Sequence, residues 1–289
     1  MNLYSPDTIR YIKDRYGFRF SKGLGQNFLV DPLPLQALVE GSRMGEDDLV
    51  IEIGPGIGAL TKEAAAVAAH VTAVEIDESL APVLRETLGA CDNVDIVFDS
   101  ILDVDIRELI ETKRREFGIT GNTRIIGNLP YYITTPIVTE LLERDHGADS
   151  ITVMTQKEVA DRIKATPGGK EYGGLSIMVQ YRCLIEHVIN VSRQSFYPPP
   201  KVDSAILNLI PLEESPVDLE DEEMFFRFIR AGFAQRRKTL LNSLAAGTEF
   251  DKEETRTLLE SAGIDPKRRA ETLSIEEFAK LANMAAERS

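Results

Sequence analysis

From residue 48 onward, short blocks of apolar residues alternate with longer stretches in which apolar positions recur every three or four residues. Short apolar runs bounded by turn residues read as buried strands, and the 3.6-residue recurrence reads as amphipathic helix. The pattern predicts strands at 48–53, 70–76, 93–98, 123–128 and 149–155. It predicts helices at 59–68, 79–89, 104–117 and 134–145 between them. This alternation implies an α/β fold, a parallel sheet with helices on both faces. Ligands of such sheets bind beyond the carboxyl ends of the strands. Helices are expected next at 156–164 and 174–184, then strands at 185–191 and 204–211 that close the sheet as an antiparallel pair. Upstream, Ser5-Pro6-Asp7 supplies an N-cap, a first-turn proline and an acidic first turn for a helix to about Tyr16. Residues 18–31 read as a loop that folds back on the chain, and Asp31-Pro32 opens a second helix.

The stretch from Glu213 to Glu222 is acidic, contains Pro216 and reads as lacking core residues. It reads as a domain junction, with a first domain over 1–212 and a second over 213–289. Beyond it the pattern is helical only, at 222–234, 236–246, 252–262 and 274–286, which predicts a small all-α domain.

Charge and cysteine usage narrow the function. A net charge of −14 argues against indiscriminate polyanion binding. The charge is uneven, with basic clusters at Arg236-Arg237-Lys238 and Lys267-Arg268-Arg269, and phosphate contacts need only local patches. Cys91 and Cys183 match no metal or redox spacing, so a reduced, cytoplasmic setting is expected, without a metal. His70, His146 and His187 are scattered and read as structural. No apolar run approaches a membrane span.

The loops after the strands hold the candidate chemistry. Gly54, Gly56 and Gly58 follow the apolar run 49–53 and lead into a helix. Such a turn suits close approach of a nucleotide-type cofactor, and it also suits an ordinary strand–helix connection. Glu75 lies 75 − 54 = 21 positions past Gly54, a spacing that fits a carboxylate accepting from ribose hydroxyls. Asp99 lies just past the next strand, as an acceptor for an adenine amine or as a helix cap. Asn128-Leu129-Pro130-Tyr131 supplies an amide acceptor, a stiff turn with neighbouring carbonyls free, and a flat ring. Two acceptors on an exocyclic amine free its lone pair to act as a nucleophile. In the run from Gln194 to Ser204, Pro198, Pro199 and Pro200 stiffen a loop carrying Phe196 and Tyr197. Phe196 reads either as a stacking partner for an extruded base or as a plug in the core.

Five runs taken together resemble the small-subunit ribosomal RNA adenine N6,N6-dimethyltransferase family (KsgA type). They are Gly23 to Leu29, Glu52 to Gly58, Asn128 to Tyr131, Phe196 to Ser204 and Phe233 to Leu240, in that order along the chain. The resemblance implies a Rossmann-like methyltransferase domain whose N-terminal segment covers the cofactor, and an α-helical domain touching RNA. It implies S-adenosyl-L-methionine bound by Gln26, Asn27, Leu29, Gly54, Gly56, Glu75, Ile76, Asp99, Ser100 and Asn128. Asn128, Leu129 and Pro130 would grip the target amine, with Tyr131 and Phe196 sandwiching the base. The implied substrate is a pair of adjacent adenosines in a hairpin loop near the 3′ end of small-subunit rRNA, within an assembling subunit. A monomer is expected, with Arg236, Arg237 and Lys238 on phosphates at the start of a helix. The rivals are a large-subunit rRNA adenine methyltransferase of the resistance type, which shares the Asn128 run, a non-catalytic assembly factor, and a small-molecule methyltransferase. Thr134-Thr135-Pro136, the proline-rich loop and the context of Arg236-Arg237-Lys238 favour the small-subunit type.

Overall fold

The computed structural model describes residues 1–17 and 27–287. It divides into two compact units, Met1–Ala160 with Leu184–Pro211, and Asp161–Cys183 with Leu212–Ser289. The second unit thus gathers a segment, 161–183, that the pattern of apolar positions places in the first domain.

The first unit begins with α1 (Pro6–Tyr16), capped by the Ser5 side chain accepting from the Asp7 N–H and closed by Gly17 in the left-handed region. The short strand β1 (Phe28–Leu29) follows. Asp31 then caps α2 (Pro32–Ser42) through the Leu33 N–H. From there strand and helix alternate: β2 (Leu49–Ile53), α3 (Ala59–Ala65), β3 (His70–Glu75), α4 (Ala81–Leu88), β4 (Val94–Phe98) and α5 (Ile106–Phe117). The series continues with β5 (Thr123–Asn128), α6 (Thr134–Glu143), β6 (Ser150–Gln156), α7 (Lys157–Lys164) and α8 (Gly174–Arg182). β7 (Cys183–Val191), β8 (Phe196–Tyr197) and β9 (Ser204–Pro211) complete the strands.

Every residue of β2 and β3 is buried, as a parallel strand covered on both faces requires. The seven-stranded sheet runs β4-β3-β2-β5-β6-β9-β7. Its first five strands pair in parallel. β9 pairs antiparallel with β6 and sits between β6 and β7. The last two long strands therefore close the sheet as expected in place, but the later one inserts inward and leaves β7 at the edge. Separately, β1 and β8 form a two-stranded antiparallel ribbon, with Phe28 opposite Tyr197 and Leu29 opposite Phe196.

The second unit takes α8 and adds α9 (Glu222–Ala234), α10 (Leu240–Gly247), α11 (Lys252–Ser261) and α12 (Ile275–Ala286), with Phe225, Phe228, Leu244 and Phe278 in its core. α10 begins at Leu240, four residues later than the sequence pattern suggests, because the backbone leaves helix geometry at Gln235. Among the described residues no helix is long and apolar enough to cross a membrane.

Candidate active site

In the parallel part of the sheet, register aligns the carboxyl ends of the strands: Ile53 lies opposite both Val74 and Gly127, and Asn128 lies opposite Met154. The loops beyond these ends wall a cleft with about 1090 Å3 of empty space, part of it open to solvent.

One wall is the turn after β2 and the ends of β3 and β4. Gly54 and Gly56 have φ of 70° and 59°, in the left-handed region that penalises any Cβ. A Cβ added to Gly54 would meet nothing within 4 Å, so the bare backbone faces space that a ligand can fill. A Cβ on Gly56 would come within 3.0 Å of the Phe28 ring. Glu75 is buried at the end of β3, and its two carboxylate oxygens accept from the Gly56 N–H (3.1 Å) and the Asp77 N–H (2.9 Å). Burial pushes its pKa up, and those two backbone donors pull it back. The carboxylate is thereby fixed in orientation, with lone pairs left to accept from ligand hydroxyls. Ile76 follows and is 52% exposed on the cleft wall. Asp99 and Ser100 lie beyond β4, where Asp99 Oδ1 accepts from the Ser100 N–H at 2.7 Å.

Glu52 also reaches this wall from the middle of β2. It is 1% exposed, and among the described residues its Oε2 has no hydrogen-bond partner. Burial, reinforced by the negative charge of Glu75, pushes its carboxyl up to about 8. Glu52 is absent from the residues expected in the site, although a lone charge inside an otherwise apolar strand is a signal in the sequence.

The opposite wall is the turn after β5. The Leu129 N–H donates to the Met154 carbonyl at 3.0 Å, which ties the turn to β6. The Pro130 carbonyl accepts from the Ile133 N–H (3.2 Å) and from Thr134 Oγ1 (3.0 Å). That carbonyl is therefore spent inside the turn, contrary to the expectation that proline leaves both of its neighbouring carbonyls free. Among the described residues no donor reaches the Leu129 carbonyl. Asn128 donates through Nδ2 to the Asn27 carbonyl at 3.4 Å, and among the described residues nothing donates to its Oδ1. Tyr131 is half-buried, its hydroxyl pairs with Ser204 Oγ at 2.6 Å, and burial raises its pKa. Tyr132, also absent from the expected site residues, lines the cleft with 51% of its surface exposed. The doubled tyrosine was the signal for it.

The structure thus brings together Gly54, Gly56, Glu75, Ile76, Asp99 and Ser100 on one wall. It brings Asn128, Leu129, Pro130 and Tyr131 to the other, with Asn27 and Leu29 lining the same cleft. Gln26 lies outside the described residues. Phe196 is a correction: it does not stand on the cleft wall as a stacking partner. The ring is 3% exposed and packs in the core, because its backbone pairs with Leu29 across the ribbon and turns the side chain inward among Leu29, Ile206 and their neighbours. Arg236, Arg237 and Lys238 are exposed in the second unit. They form a turn between α9 and α10, where the Lys238 N–H donates to the Gln235 carbonyl at 2.9 Å, and not the start of a helix.

Comparison with known proteins bears directly on this cleft. The ribosomal RNA adenine dimethylase family model matches residues 17–287. Over 282 residues the chain is 47% identical to ribosomal RNA small subunit methyltransferase A of Clostridioides difficile (strain 630), covering 98% of this chain and 96% of that protein. It is 46% identical over 288 residues to the protein of the same name from Alkaliphilus oremlandii (strain OhILAs), covering 99% of each. Among solved structures it is similar to a dimethyladenosine transferase from Plasmodium falciparum, with a TM-score of 0.69 and 25% identity over 88% of this chain and 95% of that one. It is similar also to the 23S rRNA methyltransferase ErmE, with a TM-score of 0.65 and 28% identity over 89% and 99%. A family match across nearly the whole length, joined by relatives close to half identical, places the chain in the ribosomal RNA adenine dimethylase family.

Proposed function

We propose that this chain transfers methyl groups from S-adenosyl-L-methionine to N6 of two adjacent adenosines in a hairpin loop near the 3′ end of small-subunit rRNA, each receiving two. It would act as a monomer on the assembling small subunit, in the cytoplasm. The methyl donor of the family is S-adenosyl-L-methionine. The observation that carries the reading is one cleft joining the glycine turn and Glu75 to Asn128 and Tyr131. The residues fit that donor: Gly54 leaves open space where a Cβ would stand, and the Glu75 carboxylate is buried and already oriented. Gly54 and Gly56 would lie along the methionine part, Glu75 would hold the ribose, and Ile76, Asp99 and Ser100 would hold the adenine. Asn27 and Leu29 would cover it, with Gln26 assigned by resemblance alone.

When bound, the donor supplies a sulfonium methyl that passes to the attacking nitrogen while the S–C electron pair stays on sulfur. The protein prepares that nitrogen. Asn128 Oδ1 and the Leu129 carbonyl accept from the adenine amine, which favours a pyramidal nitrogen with its lone pair out of the ring. Pro130 and its two internal hydrogen bonds keep these acceptors in place. Tyr131, tethered to Ser204, sets the depth of the base. Positioning supplies most of the rate. The methylated ammonium is acidic enough to release its proton to water, so no side chain has to act as general base. The base must leave its stack to reach the cleft, as in other base-modifying enzymes. Arg236, Arg237 and Lys238 of the second unit would take phosphates.

Transfer of labelled methyl groups to isolated small and large subunits tests the reading. Label confined to two adjacent adenosines of the small subunit is the expected result. Label in the large subunit would support the resistance-type rival. Failure to bind S-adenosyl-L-methionine in calorimetry would support a non-catalytic assembly factor.

A further inference from the structure

Two large apolar side chains that line the cleft stand exposed among the described residues: Ile76 and Tyr132. Ile76 directly follows Glu75 and belongs to the cofactor wall. Tyr132 stands four positions past Asn128, on the wall that grips the target amine. The other aromatic groups of that region are committed elsewhere. Tyr131 is tied through its hydroxyl to Ser204, and Phe196 is buried in the core.

The backbone beneath Tyr132 is fixed on both sides. The Leu129 N–H is bonded to β6, and the Pro130 carbonyl accepts twice from the residues that open α6. A half-exposed ring on so stiff a turn can meet a second flat group without ordering a loop first. Drawing one base into the cleft breaks its stack with the next base, at a cost of roughly a few kcal/mol. An aromatic platform at the mouth recovers ~1–3 kcal/mol by restacking the neighbour. In an adjacent adenosine pair that neighbour is a purine, which offers the larger stacking face.

We propose that Tyr132 is the platform for the adenosine next to the one being methylated, and that it thereby sets a preference for paired adenosines. The inference rests on the proposed rRNA methylation. Its test crosses two changes: Tyr132→Ala in the protein, and replacement of one adenosine of the pair by uridine in reconstituted small subunits. On the natural pair, Tyr132→Ala lowers kcat/KM about tenfold, chiefly through KM for the subunit. Affinity for S-adenosyl-L-methionine, read by calorimetry, stays at the wild-type value, and Tyr132→Phe restores the rate. On the uridine-containing subunit the wild type loses rate at the remaining adenosine, and Tyr132→Ala loses little more. Full activity of Tyr132→Ala would overturn the proposal, and so would losses that simply multiply. A matching fall in cofactor affinity would also overturn it, by placing the ring in the cofactor site. An active wild type with an indifferent Tyr132→Ala removes this inference alone, whereas a wild type that labels no small subunit removes the proposed function and this inference with it.

Discussion

The two walls of the cleft are built on opposite rules. On the side of β2, β3 and β4, polar groups are already engaged by the protein: both Glu75 oxygens hold backbone N–H groups and Asp99 holds that of Ser100. On the side of β5, the Asn128 Oδ1 and the Leu129 carbonyl have no protein donor among the described residues, and the Tyr132 ring faces open space. The first wall holds its polar groups in fixed orientation, which suits a small molecule bound on every turnover. The second keeps its acceptors in reserve for a nucleobase. A base that enters and leaves exchanges hydrogen bonds with solvent, and these two acceptors can do so without breaking any contact to the protein's described residues.

Substitutions on each wall should therefore fail differently. Asn128→Ala removes an acceptor that matters as charge develops on the amine, so transfer to small subunits should fall roughly 10²–10³-fold, by analogy with loss of one preorganised polar group elsewhere. Its melting temperature should stay close to wild type, because among the described residues the Asn128 side chain makes one long hydrogen bond, to Asn27. Full turnover in this variant would end its assigned role. Glu75→Ala should act the other way. It removes the acceptor that the Gly56 and Asp77 N–H groups share and with it the ribose acceptor, so calorimetry should show cofactor affinity weaker by roughly 10- to 100-fold. Equal loss of cofactor affinity in both variants would erase the distinction between the walls.

A third variant should touch neither wall. Arg237 lies in the second unit on an exposed turn. Arg237→Glu is expected to weaken small-subunit binding about tenfold at low salt and to flatten the slope of log K against log salt by about 1. Cofactor affinity should not change. Binding that matches wild type across several salt concentrations would remove the triplet from the RNA contact.

The parallel half of this architecture was legible because each strand is a short buried run closed by a turn residue, as Leu49–Ile53 is by Gly54. Both walls were legible for a related reason: their residues end strands, and parallel strands must end at one edge. Pairing across long sequence separations was not legible. Nothing in the periodicity of 204–211 says that it inserts beside β6 and not at the edge. Nothing near Phe196 says that Leu29, far earlier in the chain, is its ribbon partner and turns it into the core. The run 236–239 shows a further limit, since three cations in a row carry no apolar period and Thr239 starts the helix only after them.

Glu52 is the exception that sharpens the contrast, because it puts on the otherwise engaged wall a carboxyl oxygen with no hydrogen-bond partner among the described residues. Burial holds it neutral in the folded chain up to about 8, while the unfolded chain ionises near the ordinary value of 4.5. The folded state therefore binds a proton that the unfolded state has lost, and stability must fall as pH rises through that interval. The contribution is complete below 4.5 and gone above about 8. Glu52→Gln keeps the shape and abolishes the titration. Urea unfolding at intervals from pH 4 to 9 should then show the wild type losing stability relative to Glu52→Gln as pH rises, with the gap constant beyond about pH 8. Glu75, also raised by burial, is common to both proteins and drops out of the difference to the extent that its coupling to Glu52 is small. Parallel curves across the whole range would mean that Glu52 ionises alike in the folded and unfolded chains, and the cofactor wall would then have no neutral carboxyl beneath its glycine turn.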